Sequence, residues 1–132
     1  MADFLTAYKI TNKFEGGWNH VPGDRGGETY CGIARNFFPK WKGWSIVDSK
    51  KPLKHNTIIK DETLSDLVHS FYKAEFWDKI KGDSIASQLK ANQLYDMAVN
   101  AGMSNAVKLC QKTLGIAESG KMDKITLEKL NA

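Results

Sequence analysis

Apolar residues recur every three or four positions through the second half of the chain, and this is the spacing that one buried face of an α-helix requires. The pattern is clearest at residues 61–80, where it predicts a long amphipathic helix that begins with Thr63 and Asp66 as a capping box. The same spacing predicts three further helices, at residues 84–100, 104–114 and 123–130.

The first half of the chain is patterned differently. One helix is predicted from Asp3, as its N-cap, to Glu15, because the glycine pair Gly16–Gly17 then interrupts it. The following segment, up to residue 60, is rich in glycine, proline and aromatic residues without a sustained period. It predicts loops with a short hairpin near residues 20–33 and a short helix at 33–38. The whole pattern predicts a mainly α fold in which a loop and short-hairpin region carries the functional residues.

Composition limits the number of domains and the class of protein, but it does not specify a function. The 132 residues, 42% of them hydrophobic, predict one domain over 1–132 with its own core. The sequence has no apolar run long enough to cross a membrane, and its first residues lack the features of a secretory signal. We therefore expect a protein made in the cytoplasm, without membrane insertion, that reaches any extracellular target by release or another export route.

The formal net charge of +4 favours acidic partners, but it does not choose among them. The lysines are scattered, and neither a recognition-helix pattern nor a zinc-finger spacing accompanies them, so we expect a solvated surface and no nucleic-acid partner. Cys31 and Cys110 lie in apolar contexts that favour free thiols over a bridge. The histidines do not join them at metal-ligand spacing, and phosphate-loop and serine-elbow motifs are missing, so no metal or cofactor is predicted.

Three polar residues in the first half form the candidate for chemistry. Glu15 lies at the predicted end of the first helix, Asp24 follows nine residues later, and Thr29 follows five after that. A carboxylic acid at an element's end beside a flexible glycine pair suits a general acid, and glycoside hydrolysis needs such an acid with a second group that positions water or stabilises positive charge. A solvated helix end followed by an ordinary turn has the same composition, so the residues by themselves leave both interpretations open.

The motif around these residues resembles glycoside hydrolase family 108, the bacterial and phage N-acetylmuramidases. The resemblance is carried by Phe14-Glu15-Gly16-Gly17, by Asp24-Arg25-Gly26-Gly27-Glu28-Thr29 and by Gly32-Ile33-Ala34. The segment 91–132 is similar to the predicted peptidoglycan-binding part of the same proteins, and the aromatic segment 71–80 is similar to the one that joins the two parts. Within a single lysozyme-like domain, residues 1–90 then form the part with the catalytic signature and 91–132 a helical part packed on it.

This resemblance implies a lysozyme that cleaves the β-1,4 bond between N-acetylmuramic acid and N-acetylglucosamine in peptidoglycan. Glu15 is then the general acid, and Asp24 and Thr29 hold water or stabilise charge. Apolar neighbours, such as Phe14 and Trp18, favour the protonated acid that this role requires. The expected partners are the glycan strands of peptidoglycan, bound by a monomer. The alternative is a non-catalytic peptidoglycan-binding or secretion-associated module, because some similar proteins have that description.

Sugar rings present apolar faces that stack on aromatic side chains, and this suggests which residues bind substrate. Tyr30, next to Thr29, and Trp18 are predicted to line the groove, whereas Trp77 is predicted to lie in the core. Asn100 belongs with Asp96 to a predicted apolar stripe, where a buried polar group needs a partner. These two either tie their helix to neighbouring loops or line the substrate groove, and Asn100 is the candidate substrate-binding residue of the pair.

Overall fold

The computed structural model describes residues 1–14 and 16–132. The described residues form α-helices and one three-stranded antiparallel sheet, which confirms the prediction of a mainly α fold with a short-hairpin region. In chain order the elements are α1 (Phe4–Thr11), β1 (Trp18–His20), β2 (Glu28–Tyr30), β3 (Ile33–Ala34), α2 (Gly43–Ser49), α3 (Glu62–Tyr72), α4 (Gln88–Ala101), α5 (Met103–Leu114) and α6 (Lys124–Asn131). A 3-10 turn at Asn12–Phe14 follows α1, a π-helical turn at Lys73–Trp77 follows α3, and a second 3-10 turn lies at Gly82–Ser84.

The chain divides into two compact units. Residues Met1–Lys13 and Phe71–Ala132 form the first, and residues Phe14–Ser70 form the second. In this division α1 belongs with the C-terminal helices. The single domain over 1–132, with its parts 1–90 and 91–132, stays a prediction. No helix in the described ranges is both long enough and apolar enough to cross a bilayer.

Aromatic side chains form the centre of the first unit. The rings of Phe4, Trp77 and Tyr95 lie with their centroids 5.8 to 6.0 Å apart, and Trp77 and Tyr95 are fully buried. Burial of such large rings is a main source of stability for a small helical unit. The Tyr95 hydroxyl donates to Asn12 Oδ1 at 2.7 Å and so retains a partner. The prediction of Trp77 as a core residue is therefore confirmed.

The caps of these helices agree with the sequence in most cases. The Asp3 carboxylate accepts the Thr6 backbone N–H at 3.0 Å, as predicted for the N-cap of α1. Asp123 caps α6 in the same way, and Gly102 and Gly115 end α4 and α5 with positive φ angles. The start of α4 was placed too early, because residues 82–84 form a 3-10 turn and Ser87 is the N-cap.

The predicted apolar stripe of α4 needs correction. Asp96 and Asn100 are both exposed, and so is Leu89 at 66%. Asp96 Oδ1 accepts the Thr11 hydroxyl at 2.9 Å, and Asn100 Nδ2 donates to the Asp96 carbonyl at 2.9 Å. The buried face of α4 instead contains Ala91, Leu94, Tyr95 and Ala98. Because the polar pair lies outside this face, it carries no burial cost and needs no buried ligand.

The second unit contains the sheet and two helices. The predicted helix at 33–38 is wrong, because Ile33 pairs with Tyr30 as β3. Cys31 and Gly32, the two residues between them, have φ angles of 48° and 81°, and positive φ at both positions is typical of a two-residue hairpin turn. The predicted hairpin near 20–33 is confirmed, but β1 begins two residues earlier, at Trp18.

The helical predictions for the second unit were incomplete. The helix α2 was not predicted, since its seven residues are too few for a clear period. The helix α3 begins after Asp61, whose Oδ1 accepts the Leu64 N–H at 2.8 Å, so Asp61 is the cap and the proposed box of Thr63 and Asp66 is wrong. The helical path then changes to a π turn after Tyr72 instead of continuing as α-helix to residue 80.

Candidate active site

The proposed acid, Glu15, lies outside the described residues, so its position contributes nothing to the site geometry. The residues that follow it are held firmly. Trp18 N–H donates to the Thr57 carbonyl at 2.8 Å, Asn56 N–H donates to the Trp18 carbonyl at 2.8 Å, and Cys31 N–H donates to the Gly17 carbonyl at 3.1 Å. The entry to β1 is thus fixed on two sides, by the segment 56–57 and by the turn after β2.

The sheet has two different faces, and its register assigns the candidate residues to them. Trp18 lies opposite Tyr30, and Asn19 lies opposite Thr29, which also lies opposite Ala34 of β3. Directly opposed residues share a face, and successive residues alternate between faces. On the face with Tyr30, Tyr30 and Ile33 are buried, whereas Trp18 is half-buried and His20 is exposed. The face with Asn19, Thr29 and Ala34 is only half-buried, and we call it the Thr29 face.

Asp24 lies in the loop that joins β1 to β2 and is exposed. Its backbone forms turn hydrogen bonds to Val21 and Gly27, and its Oδ1 accepts the Gly26 N–H at 3.3 Å. A carboxylate bound to a backbone N–H two residues later has a restricted orientation. The hairpin therefore places Asp24 in the loop that leads directly into the strand of Thr29.

Glu28, the residue before Thr29, has a different environment. Its carboxylate accepts hydrogen bonds from Trp18 Nε1 at 2.8 Å and from Arg35 at 2.7 Å, and Lys51 Nζ lies 2.8 Å from Oε2. Burial raises the pKa of Glu28, but the hydrogen bonds from Lys51, Trp18 and Arg35 outweigh it and bring the pKa below its ordinary value. Arg35 also pairs with Asp48 through two hydrogen bonds, at 2.7 and 2.9 Å.

This group of charges was not found from the sequence. Glu28 lies within the motif, but its partners are 7 and 23 residues further along the chain, a separation that a local pattern cannot reveal. The Arg35 and Lys51 hydrogen bonds hold the pKa of Asp48 well below its usual range. Both carboxylates are therefore ionised at neutral pH, and neither has the proton that a general acid must supply.

The two aromatic candidates, Tyr30 and Trp18, differ in how much of the ring is exposed for contact with a sugar. Tyr30 is only 3% exposed, and its hydroxyl accepts the Ile59 N–H at 2.9 Å, so the ring has no free face in this position. Trp18 is half-buried, and its indole N–H is committed to Glu28. Both residues support the hairpin. A direct contact between either ring and substrate stays a prediction, and burial weighs against it for Tyr30.

Asn100, the remaining candidate, lies on α4 in the helical unit, whereas Trp18, Asp24, Thr29 and Tyr30 all belong to the unit 14–70. Its amide is bonded to the α4 backbone at Asp96. This contact agrees with a structural role, and its contact with substrate stays a prediction. Across residues 1–14 and 16–132, no group of three or more His, Cys, Asp or Glu side chains is arranged to hold a metal ion.

Comparison with known proteins adds evidence from the whole sequence. Residues 8–102 match the family described as Glycosyl hydrolase 108. Among solved structures, that of Brucella abortus SagA is similar, with a TM-score of 0.64 and 26% sequence identity over 96% of this chain and 67% of that one. No curated protein sequence matches. The similarity to SagA agrees with the predicted lysozyme-like fold.

The family match ends at Gly102, within the boundary between α4 and α5. It includes the whole hairpin and both ends of the motif from Phe14 to Ala34, and it leaves the predicted peptidoglycan-binding role of 91–132 as a prediction. The match covers most of the chain. The protein therefore belongs to glycosyl hydrolase family 108, and this membership implies a glycoside hydrolase with peptidoglycan as its substrate.

Proposed function

We propose that this glycoside hydrolase is an N-acetylmuramidase, which cleaves the β-1,4 bond between N-acetylmuramic acid and N-acetylglucosamine. Glu15 is the general acid that protonates the leaving oxygen. Asp24 stabilises the positive charge that develops on the sugar or holds the water that attacks it, and Thr29 binds the same water. Together these residues supply the acid and the second polar group that the reaction requires.

The observation that carries the proposal is the position of Asp24 and Thr29 on one hairpin inside the family match. The loop of Asp24 leads into β2, and Thr29 lies on the half-buried Thr29 face opposite Asn19. On this face Asn19 Oδ1 accepts the Asn56 N–H at 3.3 Å, and the half-buried Thr29 hydroxyl is the group that supports the proposed water contact. The buried opposite face, with Tyr30 and Ile33, keeps the strand in place.

The environment of Glu28 also supports the proposed division of roles. Glu28 is the carboxylate next to Thr29, and it is bound to two cations and an indole N–H. An ionised, fully partnered carboxylate cannot act as proton donor. Within the motif, this leaves Glu15 and Asp24 as the carboxyl groups available for chemistry.

The test is release of reducing ends from purified peptidoglycan by the wild type and by Glu15→Gln, with products identified by mass. We expect reducing N-acetylmuramic acid ends from the wild type and a loss of about a hundredfold or more in Glu15→Gln, because glutamine cannot donate the proton. Glu118→Gln, at an exposed position in the other unit, is the matched control and should retain activity.

Co-sedimentation with peptidoglycan separates catalysis from binding. Glu15→Gln should still sediment with the wall. If the wild type binds without releasing ends, the non-catalytic binding module replaces the proposal. The anomer formed first distinguishes the two roles of Asp24. Direct attack by a water that Asp24 holds gives the inverted α anomer, whereas an intermediate that Asp24 stabilises on the face opposite the leaving group returns the β anomer.

A further inference from the structure

We propose that Phe37 is the aromatic platform on which one sugar ring of the glycan strand stacks, at the edge of the Thr29 face. The inference deepens the proposed function and rests on it for the identity of the substrate. The aromatic candidates predicted from the sequence did not include this residue, because it lies outside the motif.

Phe37 is 65% exposed, an unusual state for a phenylalanine. Three other large rings of the same unit are less exposed. Tyr30 and Trp44 are 3% and 2% exposed, and the indole N–H of Trp18 is bonded to Glu28. An exposed apolar side chain by itself needs no explanation, so the argument depends on the place where this one lies.

That place is beside the loop of Asp24 and at the edge of the Thr29 face. A Cβ added to Gly26 would lie 3.0 Å from the Ala34 Cβ and 3.7 Å from Phe37 Cε2. Ala34 lies opposite Thr29 in the register, so its Cβ belongs to the Thr29 face. The Phe37 ring and the Ala34 Cβ therefore both lie next to Gly26 of the Asp24 loop, at the edge of the Thr29 face.

The position of Phe37 is fixed by its neighbours. Asn36 N–H donates to the Gly26 carbonyl at 3.0 Å, and Asn36 Nδ2 donates to the Arg25 carbonyl at 3.1 Å. Phe37 N–H itself donates to the Ala34 carbonyl at 3.2 Å. These bonds join the turn after β3 to the Asp24 loop. An aromatic ring held in advance binds a ligand at a lower entropic cost than a mobile one.

The chemistry fits a pyranose ring. One face of such a ring presents C–H groups that pack on an aromatic surface, and its hydroxyl and acetamido groups need polar partners at the rim. The Thr29 hydroxyl supplies a polar group on the same face as the Ala34 Cβ, and so does the Asn19 amide, whose Oδ1 already accepts the Asn56 N–H at 3.3 Å. A sugar on Phe37 would thus lie beside the face that contains Thr29, the proposed water-binding residue.

The test uses Phe37→Ala, Phe37→Leu and Phe37→Trp, with two readouts. For release of reducing ends from soluble glycan fragments, Phe37→Ala should raise KM about two- to twelvefold, since aromatic contacts contribute about 0.5 to 1.5 kcal/mol, and should change kcat little. Phe37→Leu should behave as Phe37→Ala does, and Phe37→Trp should retain the wild-type KM. Ile125→Ala removes a side chain of similar exposure, 62%, and should have no effect.

The second readout is binding of the same fragments by Glu15→Gln and by Glu15→Gln combined with Phe37→Ala, measured by calorimetry. It requires no turnover, so it separates this inference from the proposed function. Weaker binding in the double variant supports the platform even if the wild type proves inactive. Unchanged binding, or a wild-type KM in Phe37→Leu, overturns it.

Discussion

Glu28 shows how the surroundings of one residue decide its chemistry. By type and by position in the motif it could be a catalytic carboxyl group. Its side chain is only 10% exposed, and it lies between Arg35 and Lys51 with an indole N–H as a third donor. Cations at this distance stabilise the ionised form, so the residue holds β1, β3 and the end of α2 together instead of donating a proton.

We predict that Glu28→Gln lowers the free energy of unfolding by about 2 kcal/mol at neutral pH, the typical contribution of hydrogen bonds to a charged group. Urea unfolding measures this change in free energy, and Glu118→Gln, at an exposed position, is the control. A change no larger than the control's would contradict the importance of the charge cluster. Arg35 and Lys51 lose one of their two shared carboxylate partners in this variant and keep the other, Asp48.

The same cluster predicts a pH dependence. The pKa values of Glu28 and Asp48 are lowered in the folded state, so the stabilisation is fully present above the unfolded-state values near 4 and is lost as the pH falls through the folded-state values. Unfolding measured from about pH 6 down to pH 2 should show falling stability, with a smaller decline in Glu28→Gln. Equal slopes in the two proteins would show that the decline originates elsewhere.

At the scale of elements, the hairpin depends on close contact between chain segments. Gly17 lies against residues 57 and 58, and an added Cβ would overlap the Thr57 carbonyl and lie 2.8 Å from the Ile58 nitrogen. The backbone at both sides would have to move, because neither contact is with a flexible side chain. The second glycine of the pair is therefore required for packing, whereas the predicted role of the pair in ending the first helix is wrong, because α1 already ends at Thr11.

We predict that Gly17→Ala lowers the free energy of unfolding by about 3 kcal/mol through overpacking. Gly23→Ala is the matched control, because Gly23 has a positive φ of 86° and no atom within 4 Å of an added Cβ. It should cost only about 1 to 2 kcal/mol, from backbone strain. Thermal or urea unfolding of both variants measures these changes. Equal losses of unfolding free energy in the two variants would exclude steric overlap at Gly17 as the cause.

At the scale of the whole molecule, the formal net charge of +4 should strengthen binding of the protein to the bacterial cell wall. Peptidoglycan carries free carboxylates, and attraction between exposed charges is screened over about 10 Å at 0.1 M salt and about 3 Å at 1 M. We predict that co-sedimentation of the protein with peptidoglycan decreases as salt is raised. Chitin, a neutral polymer of N-acetylglucosamine, is the control and should show little salt dependence. The same dependence on both polymers would mean that charge is not its cause.

Sequence periodicity determined most of the helical content, because the spacing of apolar residues and the capping side chains act within a few residues of each other. The caps at Asp3 and Asp123 and the helix ends at Gly102 and Gly115 follow from such local effects. The motif from Phe14 to Ala34 likewise indicated the family. Short elements escaped the same reasoning, and α2 and β3 are examples.

Only the tertiary structure decided which side chains meet. It grouped Glu28 with Arg35, Asp48 and Lys51, it buried Tyr30, and it brought Phe37 to the Asp24 loop. It also exposed Asp96 and Asn100, which a helical count had assigned to the core. The physical reason is that burial and ion pairing depend on contacts between residues far apart in the chain, whereas helix propensity and capping depend on neighbours that the sequence already places together.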